Sequence, residues 1–135
     1  MPRLFLAVEE LLQRPWQRLV DLDLACAALM AEWLGLSARI ERSSALGIAG
    51  ERSERLVNIC RHFGASTYVS GDAAASYLDV PLLDAHGIAV QWQGYVHPTY
   101  PQQHGEFVPY LSALDLLLNC GDESRRIAFA GLPIK

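Results

Sequence analysis

The chain has 135 residues, 51% hydrophobic and 19% charged, which is enough apolar sequence for one buried core and too little length for two domains of ordinary size. Its formal net charge of −4 argues against a nucleic-acid partner, because a phosphate-tracking surface needs a basic face. No segment approaches the length of a membrane span, and the apolar start before Glu9 and Glu10 is too short for a signal peptide, so membrane insertion is not expected.

Taken in chain order, Leu4, Phe5, Val8, Leu11 and Leu12 recur at helical spacing and predict a helix from Arg3 to Gln13, ended by Pro15. A second helix spans Leu19 to Leu34, with Asp21 and Asp23 in its first turn and Gly35 as its stop. Leu36 to Ser43 alternates in character and reads as a strand, followed by a loop to Gly50. Ser53 opens a helix with Leu56, Val57, Ile59, Cys60 and Phe63 on its apolar side, closed by Gly64. Thr67 to Val69 reads as a short buried strand, and Asp72 as the cap of a helix over Ala73 to Leu78. Pro81 starts a further turn or helix to His86, and Ile88 to Tyr95 alternates as a third strand. A long proline-bearing loop follows, of the kind that is often functional or mobile. Ser112 then caps a last strong helix that ends at Gly121, and Asp122 to Phe129 continues as a short terminal helix.

Strands separated by helices predict an α/β fold: a small parallel sheet of about three strands flanked by helices, of a size that suits part of a larger doubly wound domain. Cys26, Cys60 and Cys120 are far apart and lack the spacing of a zinc or redox site, so they read as reduced thiols and imply a cytoplasmic location. Arg52, Arg55 and Arg61, and later Arg125 and Arg126, cluster locally and leave room for a small anionic ligand.

In open parallel sheets, ligands bind beyond the carboxyl ends of the strands. Here those ends lead into Ser43-Ser44 with Gly47 and Gly50, into Ser70-Gly71-Asp72, and into Tyr95-Val96-His97-Pro98, which predicts one cleft roofed by Thr99 to Pro109. Ser70, Gly71 and Asp72 can cradle an anion, or form a turn in which Gly71 supplies backbone freedom and Asp72 caps. The segment SSALGIAG lacks the lysine of a phosphate-binding loop. His97, held extended before Pro98, is the best acid or base candidate, although a structural hydrogen-bonded role fits equally. His97 and His104 without carboxylate partners do not make a metal site, and no cofactor is expected. Asp115, three residues after Ser112, either completes a capping box or points into the cleft to orient His97 or a substrate hydroxyl.

The ordered series Tyr68-x-Ser70-Gly71, Tyr77-Leu78-Asp79, Gly87-Ile88-x-Val90, Trp92-Gln93, His97-Pro98-x-Tyr100-Pro101-Gln102, Phe107-Val108-Pro109 and Leu111-Ser112-Ala113-Leu114-Asp115 through Asn119-x-Gly121 resembles the carboxyl-terminal half of the WbqC-like proteins. Ser43-Ser44 and Glu54-Arg55-Leu56-Val57 fit the same pattern upstream. The resemblance implies a bacterial, cytoplasmic role in O-antigen or other surface-polysaccharide synthesis. It also implies an additional amino-terminal region, opening with a His-Gln-Pro-like stretch, that does not precede these motifs here. An apolar face left open by that difference would be covered by a second copy or another partner.

Together with the cleft, the resemblance implies a sugar or nucleotide-sugar ligand bound by Ser44, Ser70, Gly71, Tyr77, Tyr100, Gln102 and Asn119. If the protein is an enzyme, transferase chemistry on an amino sugar is expected, with His97 as base and Asp115 as its orienting carboxylate. The alternative is a non-catalytic binding or assembly module of a glycan-synthesis complex.

Overall fold

A computed structural model of the chain describes residues 2–133. In chain order its elements are α1 (Pro2–Leu12), α2 (Leu19–Trp33), α3 (Arg52–His62), β1 (Thr67–Ser70), α4 (Val80–Ala85), β2 (Ala89–Trp92), α5 (Ala113–Cys120) and α6 (Ser124–Ala130). Single 3-10 turns cover Ser43–Ala45, Asp72–Ser76 and Gly121–Glu123. The protein is a mixed helix and strand structure with a small parallel sheet, as the alternating pattern implies. Its described residues divide into two compact units, one built from residues 2–38 and 97–131, the other from 39–96 with 132–133.

The first unit is helical. Leu4 of α1, Leu34 after α2 and Leu117 of α5 form its centre, with Val8, Met30, Leu114, Leu118 and Ala128 around them. The end of α2 is built locally. Gly35 adopts φ +63°, the Leu36 N–H donates to the Ala31 carbonyl at 2.8 Å, and the Gly35 N–H donates to that of Glu32 at 2.9 Å. This is the glycine-terminated cap that satisfies the last carbonyls of a helix. Arg125 of α6 adds donors to the carbonyls of Leu34, at 2.6 Å, and Gly35. Its guanidinium also lies 5.0 Å from the centre of the Phe129 ring.

In the second unit β1 and β2 pair in parallel, with Thr67 opposite Ala89 and Ser70 opposite Trp92. Val57 and Cys60 of α3 meet Leu78, Leu83 of α4 and Ile88 in one buried cluster. α4 is too short to persist alone. It is started by Asp79, whose carboxylate accepts from the Leu82 N–H at 3.0 Å, and by Pro81 in its first turn. The Asp79 N–H in turn donates to the buried Ser53 hydroxyl at 3.0 Å, which ties α4 to α3.

The expected strand over Leu36 to Ser43, first of three in chain order, is not met: among the described residues the sheet has two strands. Alternation alone does not make a strand, because an extended segment needs a ladder partner for its backbone groups. Leu36 and Ile40 are 43% and 65% exposed, and the passage from one unit to the other falls between Ala38 and Arg39. The expected helix over Ala73 to Leu78 is instead the 3-10 turn Asp72–Ser76. Asp72 does not cap it; its carboxylate accepts from the Gly94 N–H at 3.2 Å. β2 stops at Trp92, short of Tyr95, because Gly94 turns to φ +57°.

Candidate functional site

The residues after β2 carry no regular structure until α5, and side chains hold the segment in shape. Ser112 caps α5 by accepting from the Leu114 N–H at 3.2 Å, as its sequence predicts. That cap places Asp115 one turn in, beside the preceding loop. Its carboxylate takes no part in a capping box. Oδ2 accepts from the buried Tyr100 hydroxyl at 2.8 Å and from Gln102 Nε2 at 3.0 Å, and Oδ1 accepts from Asn119 Nδ2 at 3.1 Å. Asn119 Nδ2 also donates to the Asp115 carbonyl, at 2.8 Å, which sets the amide orientation. Gln102 closes the loop on itself: its Nε2 donates to the Val108 carbonyl at 3.0 Å, and its Oε1 accepts from the Val108 N–H at 2.9 Å.

Thus Tyr100, Gln102, Asp115 and Asn119 form one connected cluster. Burial, and then the adjacent Asp115 carboxylate, push the Tyr100 hydroxyl above its ordinary pKa. Tyr100 therefore stays a donor across the physiological range. A carboxylate offers about four acceptor positions. Three are occupied here, which leaves capacity on Oδ1, and the Asn119 side-chain oxygen has no partner among the described residues.

Both groups line a cavity of about 610 Å³, together with Phe5, Leu6, Leu118, Gln103 and His104. The lining is amphipathic: it combines acceptors and an imidazole with an aromatic ring and two leucines. Such a surface suits a ligand with hydroxyl donors and an apolar ring face. Sequence pattern does not mark Gln103, and it marks His104 only in the metal pairing with His97 that lacks carboxylate partners. Their position next to the conspicuous Gln102 was the available signal.

His97 belongs to the same unit. Its Nδ1 lies 3.0 Å from the Pro98 carbonyl, and its ring packs near those of Tyr100, Phe107 and Tyr110, with centroids at 6.0, 5.9 and 5.0 Å. Tyr110 itself is held at φ +60°, an uncommon backbone region for a tyrosine.

The remaining candidates lie in the second unit. The Ser44 hydroxyl accepts from Arg42 Nε at 3.0 Å. Ser70 is buried at the end of β1, where its hydroxyl reaches the Gly71 carbonyl at 3.4 Å. Gly71 has φ −68°, an extended conformation open to any residue, so backbone freedom is not what this position requires. Tyr77 stands 76% exposed at the edge of a separate cavity of about 520 Å³, with Arg52, Ser53, Leu56, Tyr68 and Leu78. All three cysteines are free; burial raises the thiols of Cys60 and Cys120 above their usual pKa, which makes them poor nucleophiles. Among the described residues, no three His, Cys, Asp or Glu side chains gather to hold a metal ion.

Comparison with known proteins gives one family. Residues 2–127 match the model of the WbqC-like protein family. The uncharacterized protein Rv1507c of Mycobacterium tuberculosis (strain ATCC 25618 / H37Rv) is 40% identical over 96 residues, which are 70% of this chain and 42% of that protein. The chain therefore spans less than half the length of this curated relative. No solved structure matches it.

Proposed function

The chain belongs to the WbqC-like protein family, and from that premise we propose that it binds a sugar or nucleotide sugar in the cytoplasmic synthesis of a bacterial surface glycan such as O-antigen. The observation that carries the reading is the acceptor pair of Asp115 and Asn119 beside the apolar wall of Phe5, Leu6 and Leu118. Sugar hydroxyls donate to carboxylate and amide oxygens, and the apolar face of a pyranose ring rests on aromatic or aliphatic side chains. Tyr100 and Gln102 hold the carboxylate in place, so little side-chain freedom is lost when a ligand arrives. Transferase chemistry on an activated amino sugar fits such a site, with an imidazole removing the proton of the attacking group. His97 and His104 are the two candidates, and His104 lines the cavity.

The test is a thermal-shift panel of nucleotide sugars, free sugars and nucleotides. A ligand that binds the folded state raises its melting temperature with concentration. We expect a rise for one sugar-bearing class that is lost in Asn119→Ala and His104→Ala. Turnover, once the substrate class is known, should be abolished by replacing whichever histidine is the base, with the fold intact. A flat response across the panel would remove the sugar-binding reading.

One observation favours the alternative of a non-catalytic assembly module. α2 is apolar along most of its length, yet none of its residues is fully buried, and Leu19, Val20, Leu24 and Trp33 are exposed. Exposed apolar surface of this kind is commonly covered by a partner. Sedimentation at rising concentration, read beside the ligand panel, separates the two: self-association without any ligand response supports the module.

A further inference from the structure

We infer that the cavity in the second unit is a binding site for a small ring compound bearing a phosphate or carboxylate. It is separate from the sugar site proposed above, and that proposal stands or falls without it. The cavity measures about 520 Å³, within the usual range for small-molecule sites. Its lining combines a guanidinium, two tyrosines and two leucines: Arg52, Tyr68, Tyr77, Leu56 and Leu78.

Arg52 is the informative residue. Several other arginines of the chain are committed to the protein itself. Arg55 donates to the carbonyls of Ile48 and Ser43, Arg125 to that of Leu34, and Arg126 pairs with Glu123 at 2.7 Å. Arg52 has no hydrogen bond or ion pair among the described residues. It is also expensive where it stands. Its φ of +48° is a left-handed conformation that costs a non-glycine residue free energy. It occupies the first position of α3, where the helix dipole disfavours a cation. Glycine would remove both costs, so folding does not account for arginine here. An anion in the cavity does account for it, since a guanidinium binds phosphate or carboxylate through paired, charge-assisted hydrogen bonds.

The tyrosines define the rest of the ligand. Tyr77 presents an exposed ring, Tyr68 is half-buried, and Leu56 and Leu78 supply an apolar floor. Aromatic side chains beside an arginine accept a planar or saturated ring by stacking while the cation takes the charged group. The Ser53 hydroxyl, already accepting from the Asp79 N–H, keeps its own proton to donate.

The experiment is an amide-shift NMR titration with phenyl phosphate and uridine monophosphate, with uridine and inorganic phosphate as half-ligands. At least one of the two probes should bind about tenfold or more tightly than either half, with shifts centred on Leu56, Tyr68 and Leu78. Arg52→Gly should weaken that probe by about tenfold or more, the worth of a charge-assisted hydrogen bond, while leaving the melting temperature unchanged or higher. Tyr77→Ala, at an exposed position, should weaken it with no loss of stability, and Arg126→Gln should do neither. Failure of both probes at millimolar concentration, undiminished binding in Arg52→Gly, or shifts centred on Asp115 and Asn119 would each overturn the inference.

Discussion

At the scale of single residues, Asp115 organises the candidate site, and Tyr100 is its most buried partner. Tyr100→Phe keeps the ring packing on Phe107, centroid to centroid 5.2 Å, and removes only the donor to Asp115. A hydrogen bond to a charged group of this kind contributes about 1.5 kcal/mol or somewhat more, so urea unfolding should show a loss of that order. The pH dependence has a definite sign. Burial first, and then Asp115, raise the folded-state pKa of Tyr100 above its ordinary 10.0. Its contribution is therefore complete below pH 10.0 and declines as pH rises beyond it, because the unfolded chain releases that proton more easily. Tyr95, Cys60 and Cys120 are shifted upward by burial as well and add to the alkaline loss. The difference between wild type and Tyr100→Phe isolates the one hydroxyl: the gap in stability should narrow above pH 10.0, and a constant gap would mean that the hydroxyl does not titrate with folding.

Of these residues, Ser112 and Asp115 were legible in the sequence, since a cap and a first-turn carboxylate are local signals. The joining of Asp115 to Tyr100 and Gln102 was not. Those partners lie 15 and 13 positions away across an irregular loop, and no periodicity encodes which of several loop side chains reaches back. The same holds for Gly71, whose name suggests backbone freedom while its actual φ is ordinary.

At the scale of elements, the helices were legible wherever apolar spacing and stop signals agreed, as in α2 and its Gly35 end. The two glycines Gly35 and Gly64 give a controlled comparison. Both adopt φ +63°, so alanine at either carries the same left-handed cost of about 1 kcal/mol. A Cβ on Gly64 would meet nothing within 4 Å, whereas one on Gly35 would lie 2.7 Å from Arg125 Nη1. Gly35→Ala should therefore lose the common term and, in addition, the Arg125 contacts that close α2, for an excess of about 1 kcal/mol or more in chemical denaturation. Equal losses would show that Arg125 moves aside without cost. The strand expected over Leu36 to Ser43 failed for a different reason: its alternation is local, while a strand is made by a neighbour, and none is present among the described residues.

At the scale of the whole molecule, the described residues contain no helix long and apolar enough to cross a membrane. They divide between two compact units whose first boundary lies between Ala38 and Arg39. The surrounding residues 36–42 lack regular structure, and the Arg39 side chain, which pairs with the nearby Glu41, is 80% exposed. Limited trypsin digestion should therefore cut first at Arg39, because proteolysis requires an exposed segment that can be drawn out locally. A first cut at Arg55 or Arg125, whose guanidiniums are tied to backbone carbonyls, would contradict this picture of the chain.

Local sequence signals carried the α/β character, the helix ends at Gly35, Gly64 and Gly121, the Ser112 cap and, through an ordered series of short motifs, the family. Each of these depends on neighbours in the chain, where spacing and backbone preference act directly. The folded chain adds that the sheet has two strands among the described residues, that Asp115 is clasped by Tyr100, Gln102 and Asn119, and that Arg52, without a partner among the described residues, lines a cavity with two tyrosines. Those outcomes depend on which distant groups meet, and contact between residues far apart in sequence is settled by packing and hydrogen-bond satisfaction across the folded chain.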